Sequence, residues 1–305
     1  MTFTQLEIFS VLASVGSFSR AAGALGITQS GVSHAIKQLE NELGVSLMTR
    51  EGGACALTDA GSKLLARAND ILQQKEALQQ EALHERGIAR GTLRIASFGA
   101  SSSLHLLPAL LSAYRRAHPL VEVQIDEVVD AVVVKWLLER RVELGFVVLP
   151  DERFDTVPLA TDELVAVLPA AHALAAKQAL GARDFHGLPF IRTSAGSGPY
   201  IDRFLAAEGA VPQTQFRFEQ LSSMMGFVAQ GEALTIAARL ALPEEPPPDV
   251  VYRRLQPRMP REIGLAALNF DRLSLAARAF VDLAGKRRKP LGMAQGTSRP
   301  RRGTK

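Results

Sequence analysis

Between Thr28 and Gly44 the apolar residues Val32, Ile36, Leu39 and Leu43 recur at steps of four, three and four. At about 3.6 residues per turn that spacing gathers them on one face of a helix. Ser30, His34, Lys37 and Asn41 point the opposite way, with Ser33 beside them. Thr28 is a candidate N-cap and Gly44 a candidate stop, so the helix has both a start and an end signal. Ser17 can cap a shorter helix running to about Leu25, and Gly26 breaks it. Two helices joined by a short turn, the second with a polar outer face, form the geometry that lays a recognition helix in the DNA major groove. Periodicity alone fits an ordinary amphipathic pair better, because many globular proteins contain one.

The pattern then changes twice along the chain. Val45 to Leu57 holds Gly52-Gly53 between short apolar pieces, as a two-stranded wing would. Thr58 caps a long helix rich in Ala, Leu, Gln, Lys and Glu, in which Leu64, Ala68, Ile71, Lys75, Leu78 and Ala82 alternate steps of four and three, and Gly87 ends it. That spacing is a heptad seam, weakened by Lys75 and the alanines; packing on its own domain is the plainer alternative to pairing with a second copy. From Gly91 onward short β-branched runs alternate with helical ones: Leu93 to Ala96, Val121 to Ile125, Leu144 to Val148, Leu164 to Leu168, Phe190 to Arg192 and Leu234 to Ala238. Such alternation predicts βαβ units and an open, largely parallel sheet. Two lobes are expected, with the chain crossing near Leu149 to Thr161 and returning near Leu240 to Val251. Ligands in such folds sit at the C-terminal strand ends, in the crevice between the lobes.

Charge must be read by region. The stretch from Lys286 to Lys305 holds eight basic residues and no acidic one, twice the chain's net +4, so everything before it sums to −4. Within Met1 to Gly61, Arg20, Lys37 and Arg50 face Glu7, Glu40, Glu42, Glu51 and Asp59. A net acidic reading head must rely on placed contacts, since bulk phosphate neutralisation is normally a large share of DNA affinity. The basic tail is rich in Pro, Gly and Ser, lacks periodicity and reads as disordered. Cys55 is the single cysteine, which excludes an intramolecular disulfide and a multi-cysteine zinc site. No apolar run reaches transmembrane length and the first residues show no positive segment followed by an apolar stretch, so a cytoplasmic protein is expected.

The ordered series Leu6, Phe9, Gly16-Ser17-Phe18, Ala21-Ala22, Gln29, Val32-Ser33, Ile36, Leu39-Glu40, Leu43-Gly44, Leu47, Arg50, Leu57-Thr58 and Ala60-Gly61 resembles the N-terminal domain of LysR-type transcriptional regulators. The likeness continues through Gly91 to Ala96, Leu107 to Leu111 with His118-Pro119, Ala206 to Pro212, Val228 to Leu234 and Ala276 to Phe280. It implies an α/β chain overall: a winged helix-turn-helix over 1–58, a linker and dimerisation helix over 59–87, and a two-lobed, periplasmic-binding-protein-like effector domain over 91–285. Lobe I would take about 91–160 and 250–285, lobe II about 161–249, leaving 286–305 as the tail. It also implies double-stranded DNA with an interrupted palindromic operator, a small-molecule effector, a homodimer or homotetramer, and RNA polymerase as a further partner. A small-solute receptor or transport component is the other reading of the two lobes. Nothing in the spacing suggests a nucleophile elbow, a metal motif or a phosphate loop, so neither catalysis nor a cofactor is expected.

Candidate site residues follow. Ser30, Ser33, His34 and Lys37 should meet the major groove, with Gln29, Arg20 and Arg50 on or beside phosphate. His34 stands where arginine is frequent, and an imidazole reads a base edge or phosphate less strongly than a guanidinium. For the effector, Ser97, Ser101 and Ser102 after the first strand and Thr193 and Ser194 in the second lobe offer hydroxyls and amides at two helix N-termini. Asp130 follows the second strand and would disfavour a purely anionic effector while suiting one with an amine or hydroxyl group.

Overall fold

In the computed structural model, which describes residues 1–51, 54–85, 90–193 and 196–286, the expected caps set the helix ends of the N-terminal unit. Helix α1 (Phe3–Val15) closes on Gly16, α2 (Phe18–Leu25) on Gly26 and α3 (Gln29–Leu43) on Gly44, each glycine left-handed at φ 63°, 66° and 71°. Only glycine adopts that geometry cheaply. The Ser17 and Thr28 hydroxyls accept from the backbone amides of Arg20 and Gly31, satisfying one orphan donor in each helix. Val32, Ile36 and Leu39 are buried against Leu6, Phe9, Leu12, Ala21 and Leu47, while Leu43 is left exposed.

Strands β1 (Met48–Glu51) and β2 (Ala54–Leu57) pair antiparallel as the wing, with Arg50 opposite Cys55. Thr58 donates its hydroxyl to the Ser46 carbonyl at 2.7 Å and accepts from Gly61 N, starting the linker helix α4 (Asp59–Glu85). Gly61 is required by space: a Cβ there would lie 2.0 Å from the Leu47 carbonyl oxygen. The sequence's seam divides. Leu64 and Ala68 pack on the reading head and Lys75 pairs with Glu7 at 2.6 Å, whereas Ile71 and Leu78 stay 39 % and 67 % exposed. Gly52-Gly53, Gly87 and the basic tail after Lys286 lie outside the described residues, and Lys286 itself ends the last helix.

The second unit opens with β3 (Gly91–Phe98), the short α5 (Gly99–Ser103), α6 (Leu107–Ala117), β4 (Val121–Val128), α7 (Asp130–Leu138) and β5 (Leu144–Leu149). Then come β6 (Asp155–Pro169), β7 (Ala179–Leu180), β8 (Pro189–Thr193), α8 (Gly198–Ala206), β9 (Gln213–Phe218), α9 (Leu221–Ala229), β10 (Thr235–Ala238), β11 (Val250–Ala267) and α10 (Leu275–Lys286). One seven-stranded sheet runs β10-β6-β11-β5-β3-β4, with β7 beside β11; β8 and β9 form a separate parallel pair.

The sheet is mixed, where alternation predicts a largely parallel one. β3 pairs parallel with β4 and β5, but β6, β10 and β11 are antiparallel neighbours. The reason lies in two long strands: β6 and β11 each run through both lobes side by side. Their outer ends belong to lobe I, where Val157, Leu159, Ile263 and Leu265 join the core of Leu93, Ile95, Tyr114, Phe146 and Phe280. Their inner ends belong to lobe II, where Leu164, Leu168, Val251 and Leu255 pack with Phe185, Phe190 and Phe204. The return crossing therefore falls between Met259 and Ile263, beyond the expected Leu240 to Val251, and 250–258 belongs to lobe II. An unbroken strand carries no composition change at the place where it leaves one core for another.

Candidate functional site

On the outer face of α3, Gln29, Ser30, His34, Lys37 and Asn41 are exposed and Ser33 is half-buried. Thr28 Oγ1 and Ser30 Oγ lie 3.0 Å apart, so Ser30 is steadied at the first turn. Arg20 is exposed but donates its guanidinium to the Val15 carbonyl, placing its charge at the C-terminal end of α1, where the helix dipole favours a cation. Glu40, at the other end of α3, accepts the Leu47 amide at 2.7 Å and the Met48 amide at 3.2 Å and so fixes the wing's entry to the recognition helix.

Between the lobes, Ser101 of α5 and Ser197 before α8 converge on one side chain, Arg261 of β11. Arg261 Nη2 donates to Ser101 Oγ at 2.8 Å, Nη1 to Ser197 Oγ at 3.3 Å, and Nε to Asp162 Oδ2 at 2.8 Å. Asp162 is Arg261's register partner on β6, and its Oδ1 accepts the amides of Glu163 and Leu240, both at 2.8 Å. The two charged side chains are 5 % and 1 % exposed. Asp130 begins α7 on lobe I, where a carboxylate suits the helix dipole, and lies against Gly196 of lobe II so closely that a Cβ there would fall 1.2 Å from Oδ2. The lobes are thus shut upon one another at Asp130–Gly196 and stitched by Arg261.

A family model described as the bacterial regulatory helix-turn-helix protein, lysR family, matches residues 3–62, and the LysR substrate binding domain matches 86–289. This chain belongs to the LysR family of transcriptional regulators. It is 33 % identical to the HTH-type transcriptional regulator YvbU of Bacillus subtilis over 287 residues, covering 93 % of this chain and 98 % of that one. It is 34 % identical to the probable HTH-type transcriptional regulator LrrA of Synechococcus elongatus, covering 93 % and 96 %. A full-length OxyR variant from Pseudomonas aeruginosa shares the fold at a TM-score of 0.69 and 22 % identity, covering 94 % of each chain. These matches span the reading head as well as the lobes, so the receptor or transport reading finds no support.

The LysR regulator therefore has a DNA-reading unit and an effector-binding unit, and the sequence-predicted residues distribute unevenly over them. Ser101 and Asp130 both reach the lobe boundary, the first through Arg261 and the second against Gly196, while Thr193 is buried at the end of β8 with its carbonyl beside Gly198. Ser97 and Ser102 are fully buried and spend their hydroxyls locally, 2.9 Å from each other, with Ser102 also bonded to the Phe98 amide and carbonyl. They shape the turn that presents Ser101. Helix α5 has only five residues, too few for a substantial dipole, so the expected anion site at its N-terminus lacks its physical basis. Ser194 and the Arg50 side chain lie outside the described residues. Arg261 and Asp162 escaped sequence reasoning; a signal existed in two opposite charges within long apolar-flanked strands, but their pairing needs the register. Among the described residues no group of three or more His, Cys, Asp or Glu could hold a metal, and no helix is long and apolar enough to cross a membrane.

The linker helix of this LysR regulator is docked on lobe I by polar side chains. Asn69 Nδ2 donates to the Glu139 carbonyl at 2.6 Å, Gln73 Nε2 to the Arg140 carbonyl at 2.7 Å, and Gln80 Nε2 to the Thr92 carbonyl at 3.3 Å. Arg140, held at φ 54°, sets its guanidinium 3.1 Å from Asp70, an ion pair without hydrogen-bond alignment. Gly91 lets the start of β3 approach the linker helix, since a Cβ there would meet the Gln80 side chain at 2.5 Å.

Proposed function

We propose that this regulator reads an interrupted palindromic operator as a homodimer or homotetramer in the cytoplasm, without catalytic activity, and that a small molecule held between the lobes changes how the paired reading heads sit on DNA. The observation that carries the DNA half is α3 itself: capped at both ends, buried on Val32, Ile36 and Leu39, and polar on its free face. Ser30, Ser33, His34 and Lys37 meet base edges, while Gln29, Arg20 and Arg50 lie on phosphate or flank it. Pairing uses the outer stripe of α4, on which Ile71 and Leu78 remain exposed one heptad apart.

The effector half rests on Ser101 and Asp130 at the lobe boundary, with Ser97 and Ser102 shaping the turn that presents Ser101 and Thr193 at the end of β8 as a further candidate; Ser194 lies outside the described residues. Helix α7 supports a route outward: Asp130 begins it in the cleft, and the carbonyls just beyond its other end receive Asn69 and Gln73 of the linker. A change in lobe closure moves α7 as a rod and so biases the linker's position.

Electrophoretic shift of the protein's own upstream DNA region tests the reading face. Ser33→Ala combined with Lys37→Ala should weaken binding by about tenfold or more, the scale of one lost base or phosphate contact pair, while thermal unfolding of the effector unit stays unchanged. Undiminished affinity would remove α3 from the DNA.

A further inference from the structure

Arg261 is placed as a ligand anchor is placed, and the chain already holds its neutral stand-ins. Its Nε is committed to Asp162 across the β6–β11 register, and Asp162 is in turn fixed by two backbone amides. Nη2 also lies 2.8 Å from Asp162 Oδ2, so what remains for the two lobes is Nη1 and the second hydrogen of Nη2, the outer N–H pair that matches a carboxylate. That pair donates to two serine hydroxyls, one from each lobe, Ser101 and Ser197. Hydroxyl oxygens are weaker acceptors than a carboxylate, so a ligand anion replaces them at a gain. The guanidinium is preorganised for the exchange because its partner and its rotamer are set by strands running through both lobes. Asp130 supplies the opposite sign a short way off, against Gly196, the residue next to Ser197.

We propose that the Nη edge of Arg261 anchors a carboxylate of the effector in the place now held by the Ser101 and Ser197 hydroxyls. The cleft then selects small carboxylic acids that bring an amine or hydroxyl to Asp130. This rests on the lobe boundary being the effector site and names both its anchor and its ligand class. Asp162 acts as a positioning residue: it holds Arg261 and touches no ligand.

Isothermal titration of the full-length protein with L-amino acids, 2-hydroxy acids and the primary amides of both tests the assignment. At least one acid should bind at millimolar concentration or better and its amide should not, since the amide loses the charge that the fork requires. Arg261→Lys keeps a cation beside Asp162 but loses the fork, and should weaken that acid by about tenfold or more. Ser197→Ala keeps both charges and removes only a competing acceptor, so affinity should hold or rise; this variant carries the test if Arg261→Lys fails to fold. No binding by any acid, equal binding by the amide, unchanged affinity in Arg261→Lys, or a loss in Ser197→Ala would each overturn the assignment. A compound whose effect on DNA binding vanishes in Asp130→Asn yet survives Arg261→Lys overturns the anchor alone. One whose effect survives Asp130→Asn and Thr193→Ala as well overturns the cleft reading beneath it.

Discussion

Glu143 shows how one buried carboxyl is tolerated and what that tolerance costs. It accepts the Ser274 amide and hydroxyl, both at 3.0 Å, where α10 begins, and the same hydroxyl caps Ala277. Burial nevertheless pushes its pKa above the ordinary carboxyl value; the Ser274 bonds oppose the shift, Glu76 adds to it and Arg94 opposes it. A raised folded-state pKa means that the native protein binds the proton more tightly than the unfolded chain. The corresponding stability is complete below the unfolded pKa and is lost as pH rises through the folded one. Urea unfolding between about pH 4 and 8 should therefore show wild-type stability declining, relative to Glu143→Gln, as pH rises above the ordinary carboxyl range. A constant difference across that interval would contradict the shift.

At the scale of elements, lobe closure is decided by contact between the first turn of α7 and the segment ahead of α8. Gly196 is needed for space and not for conformation, because its φ is outside the left-handed region while a Cβ would overlap the Asp130 carboxylate. Gly196→Ala should prop the lobes apart, widening the small-angle scattering distance distribution and lowering stability by about 1–3 kcal/mol, as overpacking does. An unchanged distribution and melting temperature would show that the lobes do not close on this contact. The elements that carry such contacts were legible to different degrees. Thr28, Gly44 and the Val32, Ile36, Leu39 stripe are local signals, readable because cap and capped group lie within one turn. β11 was not foreseen, since Arg253, Arg254, Arg258 and Arg261 interrupt its apolar residues and its partner strand lies far back in the sequence. The Arg261–Asp162 pair, 99 residues apart, shares that cause. The serine turn was found from sequence, but which serine faces the cleft depends on how Ser97 and Ser102 satisfy one another.

At the scale of the molecule, the reading head and the lobes are joined by a polar interface, which can be remade at little cost because water replaces its hydrogen bonds. Asn69 and Gln73 cap carbonyls just past α7 that its own ladder leaves open, so the rod beginning at Asp130 ends in the linker's grasp. Asn69→Ala combined with Gln73→Ala should leave effector-free DNA affinity within about threefold while erasing most of the effector-induced change in it, a coupling typically worth about 1–3 kcal/mol. Hydrogen exchange provides a ligand-free check: the Glu139 and Arg140 amides, which close the end of α7 on Lys135 and Leu137, should exchange faster in the double variant. Faster exchange with intact coupling would move the signal to β3, which also joins the two places, from Gly91 under Gln80 to Phe98 beside the serine turn. Loss of both assigns it to α7, because only that element has one end against Gly196 and the other under Asn69.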